Sequence, residues 1–448
     1  MASLPKSFNL AETIPSLPDG ALSQLITCRP ISGASFTPQS IIEVDLGNRG
    51  WCDPQSISIR YKVSATSAAS SSTAMIGTPV YTPFQRVATL VGGASIDSVN
   101  QYNQVAHVLT TGNLGVSEKY GLQGCYGYSN GVADGGNAAA TFLSGNAMFL
   151  DGRLSPVGTN TADVYTVSAP LIGTLLTNSE KMLPLFAMPQ IRFQFTLDSL
   201  ANMYVDSAQN AQNPAFALLP ATAFTITNFE LCYSMCDLGS SVEKMVYDMG
   251  QSISIKTHGL SNSAVSVGSG TTGSQSYVFN QRFASIRSAF ICPNKTTNSK
   301  WAEIADVTGG TGSYQILVGN QAFPQAPLST SLNRSGILQE TRRAFGNLFD
   351  KSNSFSINSN EFSQLINNAS NTINYAEPGK FIVGINLDKV QSGDHVMMSG
   401  TSTYNTPISV NIEVGVAVGA AGANLNLILD YDAILVLDPR ARQLSVRS

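Results

Sequence analysis

From Leu425 to Leu437 every odd position is apolar: Leu425, Leu427, Leu429, Tyr431, Ala433, Leu435 and Leu437. Asn424, Asn426, Asp430, Asp432 and Asp438 fall on the even positions. A period of two predicts a strand with one buried face. The odd set should then face a core, and the even set solvent or a neighbouring subunit. The same period runs through Ser56–Val63, with Ile57, Ile59, Tyr61 and Val63 inward, and through Ile191–Leu197. It is less clean over Ile408–Val414, and over Phe224–Tyr233 it predicts a bulge near Asn228.

Long loops rich in Gly, Ser, Thr and Asn separate these strands, for example Ser64–Ser72, Gly124–Gly145 and Ser266–Ser274. They exceed tight hairpins and fit Greek-key or jelly-roll connections. Helical pieces are few: Ser98–Leu109, Ser241–Met249, Gly336–Phe349 and Asn360–Ile373. They occur as insertions and not as alternating βαβ units, so a parallel sheet is not expected. Two segment pairs suggest duplication. Gln85–Leu90 resembles Gln281–Ile286 at an offset of 196, and the strand from Phe224 resembles the run from Asn424 at an offset of 200. Offsets near half the chain predict two like domains. The expected fold is all-β, with two tandem eight-stranded antiparallel jelly-roll sandwiches and a few short helices in loops and linker. Its parts are an extended arm over 1–30, roll 1 over 31–236, a linker helix over 237–250, and roll 2 over 251–448. The Ser-Ser pair before Val242 supplies the linker's N-cap signal.

Composition sharpens this. Of 448 residues, 43% are hydrophobic but only 12% are charged, against an ordinary share of about 25%. Free monomers keep neighbours away with surface charge. A chain this poor in charge is suited to a crowded lattice or to secretion. The net charge of −4 argues against nucleic acid as main partner. Lys6 stands beside Glu12 and Asp19 without a polybasic arm, and Arg440, Arg442 and Arg447 make a small basic tail. Cys28, Cys52, Cys125, Cys232, Cys236 and Cys292 lack zinc spacing and read as free thiols of a reducing compartment. No signal peptide or membrane span is expected, so the sequons at Asn294, Asn333 and Asn368 carry little weight.

Candidate chemistry is sparse. His107, His258 and His395 are widely spaced and predict no metal site. Gly268–Gly270 and Gly309–Gly312 lack a phosphate-loop lysine and read as loop glycines. Asp430 and Asp432 share one strand, whereas a glycosidase pair normally comes from two. Trp occurs only at Trp51 and Trp301, which weakens a sugar-stacking groove without excluding it. No catalytic, cofactor-binding or metal-binding residue is assigned, and no enzyme is expected. The rival readings are a secreted or surface lectin-like β-sandwich, a hydrolase on a sandwich scaffold, and a fibre or penton protein.

Four segments together resemble the double jelly-roll major capsid proteins of small eukaryotic DNA viruses and mobile elements, of the polinton-like virus, adintovirus and virophage type. They are Phe84–Val105, Lys181–Leu197 with its Leu-Pro-Leu element, Phe224–Val246, and Phe381–Arg447. The resemblance implies two rolls side by side and a homotrimer of pseudo-hexameric outline. Such trimers tile an icosahedral capsid around a DNA genome, beside neighbouring capsomers, penton and minor capsid proteins. It implies no cofactor and no sequence-specific nucleic acid binding. The place is the virion, after synthesis in the host cytoplasm, and an internal membrane is left open. Pro5, Pro15 and Pro18 suit an extended arm that laces to a neighbour.

Overall fold

The computed structural model describes residues 21–66, 80–115, 163–179, 181–206, 223–248, 252–295, 304–346, 380–389, 398–419 and 422–448, with islands at 73–75, 78, 118, 123–126, 148–149, 301, 357 and 362–363. Eight principal strands come first: β1 (Leu22–Cys28), β2 (Ile41–Asp45), β3 (Ser58–Thr66), β4 (Phe84–Val91), β5 (Ala94–Asn100), β6 (Asp163–Pro170), β7 (Ile191–Leu197) and β8 (Ala223–Asp237). Helix α1 (Tyr102–Asn113) lies between β5 and β6, and α2 (Ser240–Asp248) follows β8. The second set is β9 (Ile253–Val267), β10 (Gly273–Phe279), β11 (Ile286–Lys295), β12 (Ser313–Val318), β13 (Gln321–Ser329), β14 (Val383–Asn386), β15 (Ile408–Val414) and β16 (Ala423–Asp438). Helix α3 (Arg334–Ala344) lies between β13 and β14, and β17 (Gln443–Arg447) closes the chain.

The two sets repeat one topology. In the first, the sheets run β6-β3-β8-β1 and β2-β7-β4-β5; in the second, β14-β11-β16-β9 and β10-β15-β12-β13. Successive strands thus cross between two antiparallel sheets, except for one hairpin in each roll (β4–β5 and β12–β13), which is jelly-roll winding. Short strands extend the first sheet: Ser35–Phe36 on β8, and Trp51–Cys52 with Leu183–Pro184 at its far end. Each roll buries the facing sides of its sheets. In roll 1, Phe84, Tyr61, Phe229 and Phe195 form an aromatic cluster with centroids 5.1–6.1 Å apart. In roll 2, aliphatic side chains such as Ile291, Ile316, Val410, Leu427 and Leu429 fill that place.

Several expectations meet the structure directly. β7 alternates buried and half-buried positions along its whole length. The ladder between β8 and β3 shifts between Thr227 and Glu230, where Asn228 adopts φ 49°, so the bulge is where the pattern breaks. The odd residues of β16 are buried, but its even face is not open. Asn426 and Asp432 are each only 1% exposed, against the expectation that they face solvent or a neighbour. The segments around Ser285 and Gly400 cover that face: Gly400 N–H donates to Ser285 Oγ (2.9 Å), and Ser285 Oγ donates to Asp432 (2.7 Å). Farther along, Phe345 stacks on Phe290 at 4.3 Å beside the fully buried Ile428.

Other expectations are corrected. Ser98–Leu109 is not one helix: β5 holds residues 94–100, Gln101 turns at φ 49°, and α1 begins at Tyr102. The Gly92-Gly93 turn, with both residues at positive φ, folds β5 back onto β4 and so claims Ser98 for the ladder. The Gln85–Leu90 and Gln281–Ile286 match joins unlike places, since the first lies in the fourth strand of roll 1 and the second leads into the third strand of roll 2. The offset of 200 does join equivalents, β8 and β16. Leu22–Cys28, expected in the arm, is β1, because it pairs in register from Leu22↔Asp237 to Cys28↔Leu231. Helix α3 starts earlier than the pattern suggests because Asn333 caps it, its Oδ1 accepting from Gly336 N–H at 2.9 Å. The remaining expected helix, Asn360–Ile373, lies almost entirely outside the described residues.

Candidate functional site

Among the described residues the groups that could carry chemistry are dispersed. His107 is buried in α1, with Nδ1 3.3 Å from Thr78 Oγ1 and its ring edge-on to Trp301 at 6.2 Å. His258 lies on β9, where its carbonyl accepts from Asn178 Nδ2 at 2.8 Å. His395 lies outside the described residues. Among the described residues no three His, Cys, Asp or Glu side chains are grouped to hold a metal. Asp432 faces Lys256 Nζ at 3.5 Å, and Asp430 faces Arg287 at 3.8 Å. Burial raises the neighbouring Asp388 carboxyl above its ordinary range, although Ser399 Oγ donates to it at 2.9 Å. Two of the three carboxylates are thus ion-paired across this face, and the third, Asp388, is held by a hydroxyl.

The six cysteines are free. Burial pushes the Cys52 thiol up to about 12 and raises Cys28 and Cys292, which keeps these sulfurs protonated and inert. Gly268–Gly270 forms the turn between β9 and β10, and Gly309–Gly312 the turn into β12. Trp51 packs its ring on Phe186 at 5.5 Å, and Trp301 donates from Nε1 to Asn202 O at 2.7 Å. Asn294 is buried against Asn426, and Asn333 is a helix cap.

The most built feature is the seam between the rolls. Here β5 and α1 of roll 1 meet β9 and α3 of roll 2. At its centre, Gly259 of β9 lies so near the Tyr431 ring and Leu175 that a Cβ would come within 2.8 Å of both. Tyr431 is held from behind by Phe283, stacked at 3.8 Å. Thr257 Oγ1 donates to Leu175 O at 2.5 Å, and Leu175 N–H donates to Asp97 Oδ2 at 2.9 Å. Burial pushes the Asp97 carboxyl up to about 6, with the backbone donors of Leu175 and Ser98 opposing the rise. At one end Asn262 Nδ2 donates to Gln101 Oε1 at 2.9 Å. At the other, Gly112 of α1 abuts the Phe345 ring, which a Cβ would meet at 2.3 Å. Backbones this close leave room only for hydrogen at both glycines. The sequence carried one signal for this seam, an isolated glycine at 259 in a strand pattern, which marks close approach. Asp97 gave none, because it stands just before the expected helix Ser98–Leu109 and belongs to no expected strand.

No protein family and no curated protein matches the chain in sequence. Its fold does have solved counterparts. The major capsid protein of Faustovirus matches at a TM-score of 0.61 with 9% identity, over 96% of this chain and 92% of that one. A chain of the Sputnik virophage matches at 0.60 with 11% identity, over 100% and 92%. The major capsid protein of mavirus matches at 0.55 with 12% identity, over 100% and 95%. Both rolls and the order joining them are shared, so the chain has the double jelly-roll fold found in these viral capsid proteins.

Proposed function

We propose that this chain is a viral major capsid protein, which trimerises into pseudo-hexameric capsomers that tile an icosahedral shell around a DNA genome. The observation that carries the reading is the match of both rolls, end to end, to capsid proteins over more than nine-tenths of each chain. A lectin-like sandwich would need only one roll and a groove, and it gains no support from this match. The role is structural, in keeping with the ion-paired carboxylates and separated histidines among the described residues. Within it, 31–236 and 251–448 serve as the two rolls with β1 added to the first, 237–250 links them, and the residues before β1 act as an arm. Neighbouring capsomers, penton and minor capsid proteins are the partners, and the virion is the location, after synthesis in the host cytoplasm.

The purified chain should be a stable trimer at micromolar concentration by multi-angle light scattering, and negative-stain images should show pseudo-hexagonal particles. A monomer at that concentration, with no such particles, would refute the reading.

A further inference from the structure

Residues 172–179 follow β6 of roll 1 and close on β9 of roll 2 as a clip. Leu171 N–H anchors the start of the clip on Ile57 O at 2.8 Å. Within it, the hydroxyls of Thr174 and Thr177 bond each other at 2.9 Å, and Asn178 N–H donates to Thr174 O at 3.2 Å, so the segment holds its own shape. Three contacts seat it on β9. Thr257 Oγ1 donates to Leu175 O, Asn178 Nδ2 donates to His258 O, and Gly173, at φ 77°, comes so near Leu260 that a Cβ would meet its methyl at 2.8 Å. On the roll 1 side the Tyr102 hydroxyl donates to Ile172 O at 2.9 Å, and Asp97 Oδ2 accepts from Leu175 N–H at 2.9 Å. Leu175 thus binds Asp97 with its N–H and Thr257 with its C=O, which joins the two rolls through one residue.

Asp97 is an unusual residue to hold such a joint. It is 7% exposed, and among the described residues no cation is ion-paired to it. The charged groups of the surrounding elements are engaged elsewhere. Lys256 and His258 flank Thr257 on β9 and so point to its other face, Lys256 toward Asp432. Arg86 of β4 bonds Ser98 Oγ, on the opposite face of β5 from Asp97. Asp430 is paired with Arg287, and His107 of α1 lies against Thr78. The clip itself carries no charged residue. Tyr431 is the titratable group that feels Asp97 across the seam. Burial first, then the Asp97 and Asp430 charges, hold its hydroxyl above its ordinary range and so protonated. A carboxylate that ionises in this place loses its hydration and gains no counter-charge. The clip covers Oδ2, so lifting the clip admits the water that would relieve it.

We propose that residues 172–179 are a pH-operated clip between the rolls: with Asp97 protonated the clip closes on β9, and with Asp97 ionised it lifts and loosens the joint. The sign follows from burial. The Asp97 carboxyl stands at about 6 with the clip closed, against the 3.8 of an exposed carboxyl, so the closed form holds the extra proton and is favoured in acid. Those two values give about a tenfold loss of closure between about pH 5 and about pH 7.5. The rolls are therefore set against each other in acid and freer to adjust at neutral pH. The inference needs only the fold, and it stands whether or not the chain builds a shell.

The test is hydrogen exchange of the intact chain, read by mass spectrometry at about pH 5 and about pH 7.5 and corrected for the intrinsic pH dependence of amide exchange. Protection of residues 172–179 and of 257–262 on β9 should fall about tenfold from the lower value to the higher, while the interior strand β3 of roll 1 stays within about twofold. Asp97→Asn keeps an acceptor for Leu175 N–H and has no charge to gain. In that variant the clip's protection should stay within about twofold over the same range. Equal protection of the wild-type clip at both values overturns the inference, whatever the variant does. A fall shared equally by β3 overturns it too, since the whole roll and not the clip would then be responding. So does an Asp97→Asn clip that loosens with pH as the wild type does.

Discussion

Asp432 and Asp438 share one face of β16 and live in opposite surroundings. Asp432 accepts from Ser285 and faces Lys256 in a covered site, whereas Asp438 holds the turn into β17 by accepting from Arg440 and Ala441 N–H. Asp432→Ala should cost about 1–3 kcal/mol, the toll of leaving buried partners unsatisfied. Leu429→Ala, deeper in the core, should cost about 2–5 kcal/mol through lost burial and a cavity. Denaturant unfolding of the two variants checks both figures, and an Asp432→Ala midpoint equal to wild type would place that carboxylate in solvent after all. Asp97 gives a pH signature. Its folded value near 6 lies above the 3.8 of an exposed carboxyl, so the folded state holds the extra proton between those limits. Stability contributed here is therefore complete below about pH 4 and is lost as pH rises to about 6. Asp97→Asn, which can still accept from Leu175 N–H, should flatten that part of the stability curve, by an amount of order 3 kcal/mol. Parallel curves for the two proteins from pH 4 to 7 would contradict it. Asp198, Asp306 and Asp388 are raised in the same direction and remain in both.

At the scale of elements, strands with one wet face were legible and strands covered on both faces were not. The inward parity of β7 and β16 follows from alternation alone, but the covering of the even side of β16 is made by residues far along the chain, around Ser285, Gly400 and Phe345. Pattern reading sees one strand at a time and cannot see its roof. The boundary of β5 and α1 failed for a related reason. α1 is buried almost all round between the rolls, so it lacks the polar stripe that would mark its own limits. Glycine spacing carries the next prediction. Gly259→Ala would push a methyl into Tyr431, which cannot retreat because Phe283 stacks behind it, and into Leu175. Overpacking of this kind costs about 1–3 kcal/mol. Gly93→Ala differs: nothing lies within 4 Å of its Cβ position, so only the strain of φ 86° remains. Hydrogen exchange should show the Gly259→Ala loss concentrated at β9 and residues 171–179. A loss spread evenly over roll 2 would mean that the seam does not hold the strand.

For the whole molecule, the duplication was visible only where strand order preserved it. The offset of 200 survives between β8 and β16 because both are the central eighth strand, buried and long, while the offset of 196 matched short motifs at unlike positions. The seam was largely invisible in sequence, since it is built from backbone approach at Gly112 and Gly259 and from amide contacts that leave no periodic trace. It nevertheless decides how the rolls behave as a unit. The linker helix α2 ties them covalently, and its Tyr247 hydroxyl donates to Phe186 O at 2.9 Å while Arg440 Nε donates to Tyr247 O at 3.3 Å, so even the linker bridges both halves. The seam adds the Trp301 bond to Asn202, the packing of Gly112 against Phe345, and the Leu175 contacts with Thr257 and Gly259. Severing the tether removes only its effective concentration, on the order of millimolar for a short connection. If the seam supplies the binding, a protease site inserted between Asp248 and Ser252 should yield, after cleavage, two fragments that co-elute on a native sizing column and part only in denaturant. Gly112→Leu in the cleaved protein should release them without denaturant, because the larger side chain cannot fit beside Phe345. Fragments that separate under native conditions without that substitution would mean that the linker, and not the seam, holds the rolls together.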